Sequence, residues 1–173
     1  VFDILEYARR VGIELIDTAA EYGESENILG QFIDQTDAKF DFVSKLIITD
    51  PFSREMLRSN LNTSLSRLGR EKLYGYLIHR FDDFLNNKEL WNVLETFKQD
   101  GLVQKIGFSL YHENDLKMVL DRQIPLDIVQ VPYSVFDRRF EPYFEILKSN
   151  NIEIHVRSIF LQGLAFLKVP QLR

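Results

Sequence analysis

Short apolar runs alternate with longer amphipathic stretches from one end of this chain to the other. Ile13–Asp17, Phe40–Lys45, Leu73–His79, Val103–Phe108, Asp127–Pro132 and Ile152–Arg157 read as six strands. Between them Ser25–Gln35, Ser53–Leu68, Lys88–Asp100, Glu113–Arg122 and Arg138–Asn150 read as helices, several opening on Ser or a carboxylate. The first residues also run at helical spacing, with Ile4, Leu5, Ala8 and Val11 on one side and Gly12 as the stop. The strand runs lack clean polar alternation, as expected of parallel strands covered on both faces. Turn signals for antiparallel hairpins are missing, and no low-complexity tract breaks the order, so residues 1–173 are expected to form a single domain.

A β/α alternation fits either an open doubly wound sheet or a closed eight-stranded barrel. A dinucleotide-binding open sheet carries a glycine-rich turn after its first strand, and no G-x-G-x-x-G occurs here. The strand ends favour the barrel. Asp17, Lys45 and His79 each close an apolar run, and Tyr22 lies five positions after Asp17. A parallel barrel gathers the carboxyl ends of its strands at one mouth, so such residues are expected to meet at one site.

Composition narrows the function classes. The chain has 173 residues, 45% of them hydrophobic, with 26 Asp and Glu against 21 Lys and Arg and a net charge of −5, which speaks against a nucleic-acid partner. Cysteine is absent, which removes thiol nucleophiles and thiolate metal sites. The three histidines show no metal-ligand spacing, and no metal is expected. No signal peptide or apolar span of membrane length is visible, so the expectation is a cytoplasmic protein without a membrane partner.

Six ordered motifs carry a family resemblance. They are Asp-Thr-Ala-x-x-Tyr-Gly-x-x-Glu at 17–26, Lys45 at a strand end, Leu68-Gly69 followed by Tyr74-x-x-x-x-His79, Gly107-Phe108-Ser109, Gln130-x-Pro-Tyr133, and Ser158 to Gly163. In order and spacing they resemble the aldo-keto reductases over almost the whole chain. The resemblance implies a (β/α)8 barrel of which this chain holds strands 2 to 7, the first and eighth strands being absent from it. A complete barrel of this type runs to about 250 residues.

It also implies reduction of an aldehyde or ketone by a nicotinamide cofactor, with NADP(H) favoured over NAD(H), and a small-molecule carbonyl substrate. Tyr22 is then the general acid, Lys45 the cation beside it, Asp17 the anion that keeps Lys45 charged, and His79 the group on the substrate oxygen. Ser109 and Gln130 match the carboxamide contacts, and Ser158, Phe160, Gln162 and Gly163 lie in the matching pyrophosphate segment. Two positions depart from the family pattern. Leu110 stands where Asn is usual, which removes one carboxamide contact, and Arg157 stands where many members stack an aromatic ring on the nicotinamide.

Taken singly, each residue has a plainer role: Asp17 a turn cap, Tyr22 a packing residue, Lys45 a surface lysine, His79 a core histidine. Two other functions compete with the reductase. One is a nucleotide-sensing or regulatory subunit with little turnover, for which Leu110 and Arg157 leave room. The other is a barrel aldolase with Lys45 as Schiff-base nucleophile, which an Asp17 that keeps the amine protonated argues against. Arg80, Phe81, Tyr111, Tyr133 and Phe136 follow strand ends and are candidates for lining a substrate pocket.

Overall fold

The computed structural model describes residues 1–48 and 52–167. The chain divides into two compact units, 1–107 and 108–173.

The first unit runs α1 (Phe2–Arg10), β1 (Leu15–Asp17), α2 (Ser25–Thr36), β2 (Asp41–Leu46), α3 (Arg54–Leu68), β3 (Leu73–Ile78), α4 (Phe81–Asn86), α5 (Leu90–Gln99) and most of β4 (Val103–Ser109). β1 pairs parallel with β2, Leu15 opposite Asp41, and β2 pairs parallel with β3, Ser44 opposite Tyr76. That register fixes which side chains share a face, because successive residues of a strand point to opposite sides. Lys45 therefore faces one way, and its neighbour Ser44 faces the opposite way with Tyr76.

α3 begins as its sequence dictates. The Ser53 hydroxyl accepts from Met56 N (3.0 Å) and Gly69, at φ 61°, ends the helix in a left-handed cap. Leu57, Leu61, Leu65 and Leu68 form its buried stripe. α2 lies so close to α3 that a Cβ on Gly30 would fall 1.9 Å from Arg67 O. Only a residue without a side chain fits there.

The second unit opens with the last two residues of β4 and continues through α6 (Glu113–Asp121), β5 (Ile128–Pro132), a 3-10 turn (Glu141–Tyr143), α7 (Phe144–Ser149), β6 (Glu153–Arg157) and a second 3-10 segment (Leu161–Phe166). β5 and β6 pair in parallel, Gln130 opposite His155 and Pro132 opposite Arg157.

All six expected strands are present, with ends displaced by two residues or fewer. One helical expectation is overturned and two are refined. The stretch 138–150 is not one helix. Ser134 and Asp137 close a bridged turn, Pro142 sets a 3-10 turn, and regular helix starts only at Phe144. Proline lacks the N–H and disfavours helical geometry in the residue before it. The segment 88–100 is preceded by α4, whose six residues are too few to show a period, and the helix itself begins at Leu90. In α1 only Leu5 and Ala8 are buried, while Ile4 and Val11 are exposed, so one edge of a wide apolar stripe is packed.

A Gly30→Ala substitution should cost about 1–3 kcal/mol, because neither backbone at the α2–α3 contact can yield as a side chain would. A urea unfolding midpoint unchanged from the wild type would show that the two helices can separate without loss.

Candidate active site

Lys45 is the anchor of the candidate site. It sits in β2 and is almost fully buried, yet its Nζ donates to Asp17 Oδ1 and Oδ2, each at 2.8 Å, and to Thr18 O at 2.8 Å. A buried ammonium is tolerated only when it is paired and hydrogen-bonded. Asp17, the last residue of β1, meets that need because β1 pairs in parallel with β2 and ends opposite Val43, two residues before Lys45. Three acceptors on one amine also hold it protonated, which is the wrong state for a Schiff-base nucleophile.

Tyr22 lies in the loop after β1. Its N–H donates to Ala19 O (3.0 Å), Gly23 follows at φ 57°, and its side chain is half exposed. The reversed φ at Gly23 is open to glycine without strain and lets the loop turn back at once into α2. Lys45 Nζ stands 5.2 Å from the centroid of the Tyr22 ring. The edge of the same ring meets His79, with centroids 6.0 Å apart and planes at 77°. His79 directly follows β3 and is largely buried. The structure thus brings Asp17, Tyr22, Lys45 and His79 together within the first unit.

A fifth residue enters that no sequence pattern singled out. Glu21 Oε2 lies 2.9 Å from His79 Nδ1, a close contact off the line of an aligned hydrogen bond, and Glu21 Oε1 accepts from Arg80 Nη2 at 2.6 Å. Burial pushes the His79 pKa below the ordinary histidine value, and Lys45 and Arg80 push the same way against the opposing pull of Glu21. Burial also raises the Asp83 carboxyl above the usual range, against the pull of Arg80. The signal for Glu21 was its place beside Tyr22, but a lone exposed-looking glutamate in a loop has no period or spacing to mark it.

Behind Lys45, on the helix-facing side of the sheet, Glu26 is fully buried and accepts from Ser44 Oγ at 2.7 Å, with Arg67 Nη1 3.7 Å from its other oxygen. Tyr76 on the same face has its phenol pKa pushed up, by burial first and by the Glu26 charge second. Thr18 and Ser25 hydroxyls are 2.9 Å apart.

In the second unit Ser109 and Gln130 are both buried, and Ser109 Oγ is 3.2 Å from Gln130 Oε1. Leu110 is wholly buried, its N–H bonded to Gln130 O at 2.8 Å. Arg157, at the end of β6, stacks its guanidinium 3.8 Å over the Tyr111 ring and donates to Leu110 O at 3.1 Å, while its buried Nε has no partner. From Ser158 to Gly163 the backbone takes left-handed φ at Ser158 (62°), Leu161 (49°), Gln162 (56°) and Gly163 (92°). Three left-handed residues in a row, Leu161 to Gly163, make a tight turn that only the glycine adopts without strain. Phe160, half exposed, packs on Phe166 at 4.9 Å. Within the segment the Leu161 and Gly163 N–H groups donate to Ser158 O (3.1 Å) and Phe160 O (2.9 Å).

Of the pocket-lining candidates, Phe81 is packed inside against Phe84 and Tyr133 lies against Phe144, so neither is an open wall. Arg80 is tied to Glu21, Tyr111 lies under Arg157, and Phe136 is 80% exposed on the Ser134–Asp137 turn.

Comparison with known proteins gives a consistent result. The model of the "Aldo/keto reductase family" matches residues 1–170. The chain is 29% identical to the NADH-specific methylglyoxal reductase of Escherichia coli K12, covering 94% of this chain and 57% of that protein. It is 27% identical to the aldo-keto reductase YhdN of Bacillus subtilis, covering 92% and 52%. Among solved structures, MGS-M4, an aldo-keto reductase from a Medee basin deep-sea metagenome library, superposes with a TM-score of 0.77 at 27% identity, over 95% of this chain and 60% of that one. The aldo/keto reductase of Klebsiella pneumoniae in complex with NADP and acetate shares the fold, with a TM-score of 0.78 at 23% identity, over 94% and 58%. The chain spans about half the length of the curated relatives it matches. Its fold is the α/β (β/α)8 barrel of those proteins in incomplete form, with six parallel strands.

Asp17→Ala should destabilise the fold more than Lys45→Met, because the first strands a buried ammonium and the second replaces it with an apolar chain of similar length. The expected loss for Asp17→Ala is about 2 kcal/mol, below that of a fully buried pair because the Asp17 side chain is partly in water. Chemical unfolding of both variants measures the difference, and equal losses would mean that Lys45 does not depend on Asp17.

Proposed function

Given that this chain belongs to the aldo/keto reductase family, we propose that the protein reduces an aldehyde or ketone to an alcohol with NAD(P)H, Tyr22 acting as general acid. The observation that carries this reading is the Lys45 ammonium, locked by Asp17 and standing over the Tyr22 ring. A phenol with an ordinary pKa near ~10 is a weak proton donor at neutrality, and an adjacent ammonium favours its phenolate. Lys45 thus makes the Tyr22 hydroxyl a better acid without itself giving up a proton.

A bound reduced nicotinamide would supply the hydride. As the carbonyl oxygen gains negative charge, the Tyr22 hydroxyl passes its proton to that oxygen and becomes a phenolate held by Lys45. Water then returns a proton to the half-exposed phenol. His79, whose ring meets the Tyr22 ring at a steep angle, would share a hydrogen bond with the same oxygen and orient it.

Ser109 and Gln130 would hold the carboxamide of the cofactor, Arg157 would offer a guanidinium plane to its ring, and the segment of Ser158, Phe160, Gln162 and Gly163 would hold its pyrophosphate. NADP(H) stands ahead of NAD(H) on the family resemblance alone. One relative is named NADH-specific and another structure holds NADP, so titration with each nucleotide is the deciding measurement. The substrate in this reading is a small carbonyl compound in the cytoplasm.

A second reading, a nucleotide-sensing subunit with little turnover, draws support from Leu110, which is buried where a carboxamide contact is usual, and from Arg157, already engaged with Tyr111. Stopped-flow loss of reduced-cofactor absorbance on adding carbonyl compounds separates the two readings. Fast loss speaks for the reductase.

Tyr22→Phe should lower turnover by roughly 100-fold or more while leaving nucleotide affinity within about threefold, since the lost hydroxyl acts on the substrate oxygen. Fluorescence titration and steady-state assays read the two quantities. Reduction at the wild-type rate would remove Tyr22 from the mechanism.

A further inference from the structure

On the helix-facing side of the sheet, behind Lys45, three buried oxygen atoms are left without a hydrogen-bond partner among the described residues: Glu26 Oε2, Ser64 Oγ and Tyr76 Oη. Each belongs to a side chain that is 1% exposed, and none takes part in the chemistry proposed above. Buried polar groups in folded proteins are paired as a rule, so three exceptions in one layer ask for a shared partner.

The fold brings the three side chains together. Ser44 and Tyr76 lie opposite each other in the β2–β3 pairing and face the helices, and Ser44 Oγ donates to Glu26 Oε1 at 2.7 Å. α2 and α3 each carry the chain back between parallel neighbours on one side of the sheet, so they run in the same direction. They touch where Gly30 meets the backbone of Arg67 and Leu68. One turn earlier on each helix stand Glu26 and Ser64, which therefore face each other across that contact. Arg67 Nη1, 3.7 Å from Glu26 Oε2, balances the carboxylate charge without forming a hydrogen bond to it. The Tyr76 phenol lies in the field of the same carboxylate, whose charge adds to the effect of burial in raising its pKa.

A local bond was open to Ser64 and is not made. In α3 the neighbouring Thr63 hydroxyl donates to Ser59 O one turn back (2.9 Å), whereas Ser64, with the same option at Asn60 O, leaves its hydroxyl free for the interior. Alanine at position 64 and phenylalanine at position 76 would pack in the same layer with nothing left unsatisfied.

We propose that Glu26, Ser64 and Tyr76 bind one water molecule between α2, α3 and the sheet. The water donates to Glu26 Oε2 and accepts from the Ser64 and Tyr76 hydroxyls, about three bonds being usual for a buried water. Through Glu26, whose other oxygen holds Ser44, it joins both helices to the two strands β2 and β3. A hard metal cation fits the site less well, since it takes about six oxygen ligands and Arg67 already supplies the positive charge. The site stands apart from the carbonyl-reductase reading, and so does its test.

A high-resolution crystal structure of the protein should show one density peak at hydrogen-bond distance, about 2.6–3.2 Å, from all three oxygens. Rubidium soaked into the crystal should give no anomalous signal there. In solution, 17O magnetic relaxation dispersion counts long-lived internal waters, and the double variant Ser64→Ala/Tyr76→Phe should hold one fewer than the wild type. Tyr76→Phe alone should release the water about tenfold faster, because one of its bonds is gone. Should the variants not fold, the wild-type density and dispersion decide alone. No peak, direct bonds among the three side chains, a rubidium peak, or an unchanged water count in the folded double variant overturns the proposal.

Discussion

An ammonium group in the interior of a sheet is the constraint around which the first unit is organised. Lys45 occupies a position where an aliphatic residue would pack at no electrostatic cost, and the fold compensates with three oxygen acceptors at 2.8 Å. Two are the Asp17 carboxylate, one strand away, and one is the Thr18 carbonyl, the first group past the strand. Parallel pairing makes this possible, because only parallel neighbours bring two strand ends, and the loops that follow them, to the same edge. A desolvated charge held by fixed dipoles needs no reorganisation when a neighbouring group gains or loses a proton.

The ten residues from Asp17 to Glu26 then act as a clamp. Asp17 and Thr18 hold Lys45 in β2; Glu21 reaches His79 and Arg80 past β3; Tyr22 fits between Lys45 and His79; Glu26 returns to Ser44, the neighbour of Lys45 on the opposite face. A loop anchored at so many points keeps a half-exposed tyrosine in one place without burying it. The absence of a Cβ at Gly30 serves the same end one turn further on, since it lets α2 sit against α3 and carry Glu26 down to the sheet.

Much of this was legible in the residues. The six strands stand out because parallel strands are short apolar runs, and Asp17, Lys45 and His79 stand out because each ends one. Ser53 announces the start of α3. What the pattern hid follows from its own limits. Six residues of α4 complete fewer than two turns, so no period emerges, and the stretch from Arg138 onward has helical composition but a proline that delays the helix to Phe144. Glu21 was invisible because its partners are 58 and 59 positions away in sequence, and only the pairing of β1, β2 and β3 in order brings them near. The resemblance named the four residues, but it had no place for a fifth that this chain supplies itself.

The departures in the second unit are linked to one another. Leu110 stands where the family resemblance leads one to expect Asn, and its buried isobutyl group leaves its backbone as the only polar part: the N–H goes to Gln130 O and the carbonyl takes an N–H of Arg157. That carbonyl bond, with Tyr111 beneath the guanidinium, is what holds Arg157 flat at the end of β6. Arginine keeps its charge at every relevant pH and stacks through a delocalised plane, so a neutral aromatic ring can lie on it, whereas a ring that turns cationic on losing hydride is repelled. The two departures from the family pattern, at positions 110 and 157, are thus joined by one hydrogen bond whose acceptor is backbone, so a polar side chain at position 110 would not be needed to form it.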